Sequence, residues 1–208
     1  QIFSRDKTLF ETGVHYVGGL DDGQTLNQLF KYLNLMDKIQ IKQMDKDCFD
    51  KIHFGNEDKY YSIGQGYEKF ISNLVEDFPH QKKEITKYSK TIKQVCKEFP
   101  LYNLKDQTNY PISNEEVESV DEVIDSIITD NRLRNVLGSQ NILYGGGKGI
   151  TPFYIHAIII NSYIESAWRF VNGSSQVARF LARSIKSFGG EVLKKSEVIN
   201  AKIIDKTI

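Results

Sequence analysis

The sequence is poor in the residues that mark several specialised classes of protein. It has two cysteines, four prolines, two methionines and one tryptophan in 208 residues. Cys48 and Cys96 are too few for a disulfide framework and too far apart for a CxxC motif, so a reducing compartment is expected. The 27 basic and 27 acidic side chains cancel. This balance argues against a nucleic-acid-binding protein, which carries an excess or a face of positive charge.

The sequence also lacks a run of apolar residues long enough to predict a membrane span. The longest candidate, residues 153–164, is interrupted by His156, Asn161 and Ser162, so it predicts a buried helix. No secretory signal opens the chain, which predicts a cytoplasmic location. The chain begins with Gln1 and continues into a strand-like segment. We therefore expect it to be an internal piece of a longer protein.

Short strands and amphipathic helices alternate, which predicts a mixed α/β (α+β) fold with antiparallel strands. Apolar spacing of three and four predicts helices over 25–33, 66–78, 79–99, 119–128, 131–137, 151–164 and 175–188. Alternating or β-branched segments predict strands over 8–17, 39–44, 48–54, 59–63, 168–171, 191–193 and 198–204. Two pairs, Ser113 with Glu116 and Ser119 with Glu122, have the spacing of a capping box. Ser174 or Ser175 is expected to cap the last helix.

Lysines cover one side of the helix predicted after Pro79. They are Lys82, Lys83, Lys87, Lys90, Lys93 and Lys97. A solvated helix face is the ordinary interpretation of such a pattern. The second interpretation is a peripheral contact with an anionic membrane surface.

The residues themselves do not identify a reaction. Gly145–Gly149 contains Lys148 but lacks the spacing of a phosphate-binding P-loop, and Gly64-Gln65-Gly66 lacks the third glycine of a dinucleotide fingerprint. The four histidines have no ligand spacing, so no metal site is predicted. No nucleophile with its base is recognisable, and the catalytic residues stay unknown.

Three segments, in order, resemble the FAD-dependent phytoene desaturase, carotenoid isomerase and retinol saturase family. The first is Phe10-Glu11-Thr12-Gly13-Val14-His15-Tyr16-Val17-Gly18-Gly19, where Glu11 replaces the more usual aspartate. The second is Ile63-Gly64-Gln65-Gly66-Tyr67-Glu68, running on to Phe78-Pro79. The third is Trp168-Arg169-Phe170-Val171-Asn172-Gly173-Ser174-Ser175, followed by Gly189-Gly190-Glu191-Val192 and Val198. Residues 89–150 match weakly.

The resemblance implies an amine-oxidase-like flavoprotein in which a substrate domain interrupts an FAD domain. Residues 1–20 would be an entry strand of the FAD domain, 21–165 the substrate-binding domain, and 166–208 an incomplete return to the FAD domain. The phosphate-binding loop of the family precedes this segment. We therefore expect FAD to bind the full-length protein, and this chain alone weakly or not at all. The partners implied are the FAD-domain portions outside this chain and a lipophilic substrate. Exposed apolar surface would favour self-association.

The resemblance also suggests site residues. Val198 would present its backbone to the FAD adenine, although Ala201 departs from the family pattern and a plain core strand residue is the alternative. Gly13 would allow close approach on the flavin side. The predicted substrate-binding residues, for each of which a purely structural role is the alternative, are His15, Tyr16, Phe153, Tyr154, His156 and Trp168.

The leading functional interpretation is a piece of an FAD-dependent oxidoreductase acting on a polyene or isoprenoid-like substrate. Desaturation, saturation and isomerisation of a double bond are all open. The alternative is a non-catalytic module that binds a lipid or small molecule. A helical interaction domain without a ligand is the third option.

Overall fold

The computed structural model describes residues 2–105 and 118–200, and it has the mixed helical and antiparallel-strand composition that the sequence predicts. Within these ranges the helices are α1 Thr25–Tyr32, α2 Tyr67–Asp77, α3 Lys82–Glu98, α4 Val120–Ile127, α5 Asn131–Gly138, α6 Phe153–Glu165 and α7 Ser175–Ser187. The strands are β1 Ile2–Arg5, β2 Thr8–Glu11, β3 Val17–Gly18, β4 Ile41–Gln43, β5 Asp50–His53, β6 Tyr60–Ile63 and β7 Ala167–Phe170. Short 3₁₀ helices cover Pro79–Gln81 and Ser139–Tyr144.

The strands form three small antiparallel sheets. β1 pairs with β2, and β5 pairs with β6. The third sheet has the order β3, β7, β4, so β7 pairs on one edge with residues 17–18 and on the other with residues 41–43. Strand β7, from the C-terminal part of the chain, therefore lies between two strands from the N-terminal part, β3 and β4.

Helix α6 lies at the centre of the main core. Its residues are apolar nearly all round, a pattern typical of a helix with protein on every side. Phe153, Ala157, Ile160 and Ile164 are buried among apolar side chains of α2, α3, α4, α5 and β6. Full burial of one such isoleucine contributes about 1.5–3 kcal/mol. A smaller cluster, centred on Leu35, Ile39 and Phe170, holds the apolar face of α7.

The capping prediction for the helix that follows Ser119 is confirmed. The Ser119 hydroxyl accepts from the Glu122 amide at 3.3 Å, and the Glu122 carboxylate accepts from the Ser119 amide at 2.7 Å. These two bonds satisfy backbone donors that the first turn of a helix leaves without partners. The other predicted pair, Ser113 with Glu116, lies outside the described residues.

Three predictions of local structure are wrong. Residues 8–17 do not form one strand, because β2 pairs with β1 and β3 pairs with β7, and the chain bends over residues 12–15 to change sheets. Residues 191–193 and 198–200 are not strands, because they pair with no strand in the described part of the chain. The remainder of the second predicted strand, residues 201–204, lies outside the described residues. Ser174 takes the N-cap position of α7 but does not cap it, because its hydroxyl donates to Glu11 Oε1 at 2.9 Å.

No helix in residues 2–105 and 118–200 combines the length and the apolar character needed to cross a membrane.

Gly18 lies directly against α6, and we expect Gly18→Ala to destabilise the fold. A Cβ at this position would lie 2.3 Å from the Ser162 carbonyl carbon and 2.4 Å from its oxygen. Relief of this overlap requires the backbone to move, at a cost of about 1–3 kcal/mol. Urea unfolding measures the loss. Gly13→Ala is the control, because a Cβ there would meet no atom within 4 Å. Equal stability of the two variants would contradict the prediction.

Candidate functional site

The three segments that carry the family resemblance meet at the carboxyl end of α6. The Gly19 amide donates to the carbonyls of Ser162 at 3.0 Å and Ser166 at 3.2 Å, and the Gly66 amide donates to the Ile164 carbonyl. The bonds to Ile164 and Ser166 satisfy carbonyl groups that the end of a helix leaves without partners. The Ser162 carbonyl also accepts from the Ser166 amide at 3.2 Å. The third segment continues from the same point, with Val17 paired to Trp168. The resemblance therefore describes residues that are neighbours in space.

An apolar groove of about 280 Å³ runs between β3, α1 and α6. Its position depends on Gly18, whose lack of a side chain lets β3 pass close to the α6 backbone. Gly19 has a φ of 71°, in the left-handed region that favours glycine, and its carbonyl accepts from the Asn27 amide of α1 at 2.9 Å. The lining residues are Val17, Gly18, Gly19, Thr25, Leu26, Leu29, Tyr102, Ile159, Ser162 and Tyr163.

A polar cavity of about 350 Å³ lies on the other side of Tyr102. Its side chains form a series of hydrogen bonds that leads from Tyr67 to Glu165. Tyr67 Oη donates to Asn161 Oδ1 at 2.6 Å, Asn161 Nδ2 donates to Tyr102 Oη at 2.8 Å, and Tyr102 Oη donates to Glu165 Oε2 at 3.4 Å. The cavity is lined by Tyr67, Lys93, Cys96, Lys97, Tyr102, Asn103, Asn161 and Glu165.

The surroundings of this cavity favour the neutral forms of its tyrosines, its thiol and its carboxyl group. Burial raises the pKa values of Tyr67, Tyr102 and Glu165, and it raises the pKa of the Cys96 thiol to about 12. The Cys96 thiol donates weakly to the Ala157 carbonyl at 3.4 Å. A thiol in this state is a poor nucleophile. The groove and the cavity share Tyr102 as a lining residue.

His156 lies in the core, between two tyrosines. Its side chain is fully buried, with Nε2 2.6 Å from Tyr88 Oη and Nδ1 2.6 Å from Tyr144 Oη. Burial lowers the pKa of His156 to about 4, so the imidazole is neutral at pH 7. Tyr144 Oη donates to Asn141, so the Nδ1–H of His156 donates to Tyr144 and Tyr88 donates to Nε2. Every polar atom of this ring has a partner.

Two of the predicted substrate-binding residues, Tyr16 and Trp168, lie at the edge of the groove region. The Tyr16 ring meets the ring of Tyr163, a groove residue, edge-on at 4.8 Å, and Tyr16 Oη donates to Asp50 at 3.0 Å. Trp168 Nε1 donates to Asp21 at 3.0 Å. His15 is exposed on the bend before β3.

The other predicted site residues lie elsewhere. Phe153 is buried beside His156. Tyr154 is on the outer side of α6, stacked on Phe99 at 5.7 Å. Gly13 is exposed at a bend, and Val198 is 85% exposed on an extended segment. The structure does not gather the predicted set into one cavity, and its assignment to substrate and cofactor stays a prediction.

Sequence reasoning missed most of the residues that line the groove and the cavity. Leu26 and Leu29 have the spacing of core residues, and Tyr67 and Tyr102 lie far apart in the chain. Asn161 could have indicated a buried polar site from the sequence, because a side-chain amide inside an apolar helix requires buried hydrogen-bond partners. The described residues contain no group of three or more His, Cys, Asp or Glu side chains that could hold a metal ion.

Comparison with known proteins found similarity to all-trans-retinol 13,14-reductases. The chain is 26% identical to the Homo sapiens and Rattus norvegicus proteins over 94% of its own length, and 24% identical to the Danio rerio protein over 91%. It spans about a third of the length of these relatives (35%, 35% and 34%). No family model matches the chain. The resemblance to the retinol saturase group is confirmed at the level of a partial match.

The buried His156 makes stability depend on pH. Its pKa is about 4 when folded and about 6.5 when unfolded, so the unfolded chain binds the proton first as pH falls. The contribution of His156 is complete above pH ~6.5 and is lost as pH drops towards 4, at about 1.4 kcal/mol per pH unit. Urea unfolding across this range measures the slope.

His156→Gln is expected to lower the free energy of unfolding at pH 7 by about 2–3 kcal/mol, because two tyrosine hydroxyls lose a hydrogen-bond partner. It should also flatten the dependence of the free energy of unfolding on pH between pH 6.5 and 4. His15→Gln is the control, since His15 is exposed. Parallel pH slopes for the wild type and His156→Gln would contradict the prediction.

Proposed function

We propose that this relative of the retinol saturases is part of a flavin-dependent oxidoreductase that acts on a polyene or similar isoprenoid-like molecule. The observation that carries the proposal is the meeting of the three resembling segments at the end of α6. The relatives that match nearly all of the chain are named as reductases of retinol, which is itself a polyene. Saturation, desaturation and isomerisation of a double bond all remain within the proposal.

The groove supports a lipophilic substrate. Its walls are mainly aliphatic and aromatic side chains from α1 and α6, which favour an apolar ligand over a charged one. Tyr102 contributes to both the groove and the polar cavity, so a polar end group could reach the hydrogen-bonding side chains beyond it. Under this proposal the chain supplies binding and position.

FAD is the proposed cofactor of the full-length protein. The residues that the resemblance assigns to it fit a role in contact with another group. Gly13 has open space around it, and Val198 is exposed together with the apolar side chains of Phe188, Leu193 and Ile199. When bound, a flavin would supply the hydride or electron transfer. We propose that the FAD-domain portions cover residues 188–199.

A non-catalytic lipid-binding module is the second candidate. The observation that favours it is that Cys96, Tyr67 and Tyr102 of the polar cavity are neutral, so none of them can act as a nucleophile or base at pH 7. In that case the groove would carry or sense a ligand without changing it.

Expression of the full-length protein that contains this segment separates the two candidates. We expect the purified protein to show a bound-flavin absorption spectrum and to convert all-trans-retinol to a product with a shortened or extended conjugated system or an altered double-bond geometry. Absorbance spectroscopy and chromatography of extracted retinoids measure both. A protein that binds retinol without flavin and without turnover would support the binding module and contradict the oxidoreductase.

The groove itself is tested by Leu29→Trp. Leu29 lines the groove and is 39% exposed, so an indole there fits at the rim and narrows the space for a ligand. We expect about tenfold weaker binding of all-trans-retinol, measured by titration of retinol fluorescence, with little change in stability. Leu33→Trp is the matched control, because Leu33 is 40% exposed and does not line the groove. Equal losses of retinol affinity for the two variants would mean that the ligand binds outside the groove.

A further inference from the structure

Helix α3 carries its lysines on one face and its core residues on the opposite face. At about 100° of rotation per residue, Lys82, Lys83, Lys87, Lys90, Lys93 and Lys97 fall within an arc of about 140°. All six are exposed. Ile85, Tyr88, Ile92 and Cys96 are buried on the other side. These six residues are called the lysine face below.

The lysine face has no ion pair within the described part of the chain, although Lys93 interacts electrostatically with Glu165. Lysines elsewhere in the protein do form ion pairs, such as Lys59 with Asp77. Lys93 Nζ instead lies 3.9 Å above the Tyr67 ring. Since the chain as a whole has no net charge, this concentration of cations is a local feature.

Exposed leucines follow the lysine face directly. The turn after α3 carries Leu101, 56% exposed, and Leu104, 43% exposed, with Lys105 beside them. Tyr102, between the two leucines, lines both the polar cavity and the apolar groove, and Lys93 and Lys97 line the cavity. The carboxyl end of the lysine face and the turn that carries the two leucines therefore adjoin the same cavity.

We propose that the lysine face and the Leu101–Leu104 turn dock on the surface of a bilayer that contains anionic lipids. The lysines match the negative headgroups, and the two leucines suit the boundary between headgroups and acyl chains. A nucleic-acid backbone would match the lysines but would offer nothing to the leucines. The proposal does not depend on which reaction the protein performs.

Vesicle sedimentation tests the proposal. The protein is mixed with vesicles of phosphatidylcholine alone and with vesicles in which phosphatidylglycerol replaces part of it. We expect binding to the anionic vesicles only, weakening as salt is raised because surface charges are screened. Binding that is equal on both vesicle types, or absent from both, would overturn the proposal.

Substitution of Lys82, Lys83, Lys87 and Lys90 by glutamine locates the surface. We expect at least about tenfold weaker binding to anionic vesicles, because each cation near such a surface adds a factor of about five. The matched control replaces Arg179, Arg183, Lys186 and Lys194 by glutamine. These four residues are exposed and surround a cavity beside α7, and the change in net charge is the same. Equal losses for both variants would mean that net charge alone decides, and would overturn the proposal.

Two further measurements keep the test decisive. Circular dichroism and urea unfolding check that both variants fold, as expected for exposed positions.

The double variant Leu101→Ser, Leu104→Ser should bind vesicles more weakly at high salt, where the apolar contribution to binding remains. Double-stranded DNA is the competitor, and displacement of the protein from vesicles at a phosphate concentration equal to that of the lipid would favour a nucleic-acid partner and overturn the proposal.

Discussion

The structure depends on hydrogen bonds to the backbone carbonyl groups at the carboxyl end of α6. The last turn of a helix leaves carbonyl groups without partners, and this end is buried, with Ile164, Ser166 and Ala167 fully inaccessible. Unpaired carbonyls at such a site would each cost about 1–3 kcal/mol. Amides from two distant loops, at Gly19 and Gly66, supply the missing donors. The burial of α6 therefore requires these loops to meet.

The same requirement creates the groove. Gly18 and Gly19 bring β3 against α6 because a side chain at Gly18 would overlap Ser162, and Ser166 Oγ accepts from the amides of Leu20 and Asp21 at 3.2 and 3.3 Å. Helix α1 follows β3 directly, and its Thr25 Oγ1 donates to the Tyr102 carbonyl at 2.7 Å. The groove is the space between β3, α1 and α6.

Most of the helices were predictable because their signals are local. The period of apolar residues located α2, α3 and α6, and the Ser119 and Glu122 spacing located the start of α4. The strands were less predictable, because pairing depends on partners elsewhere in the chain. Residues 191–193 and 198–200 have strand-like composition, yet a strand needs an edge to pair with, and composition does not supply one.

The candidate site was predictable only in part, for the same reason. The segment around Tyr16 and Gly18 stood out through its resemblance to a family, and it borders the groove. Tyr67, Tyr102 and Asn161 are separated by tens of residues, and only the fold shows that their polar atoms form one chain of hydrogen bonds. His156 was a candidate for a pocket, with the core as the favoured alternative, and its two tyrosine partners were not visible in the sequence.

The chemistry of the side chains limits what the groove could contribute to a reaction. Tyr67 and Tyr102 are held as neutral donors, Cys96 stays a thiol, and His156 is neutral and enclosed. None of them is suited to abstract a proton from an unactivated carbon or to attack a double bond at pH 7. Under the proposed function, redox change therefore has to come from a cofactor, and this part of the protein would determine which molecule lies beside it and in which orientation. The neutral tyrosines suit that role, because they keep hydrogen bonds for the polar end of a ligand.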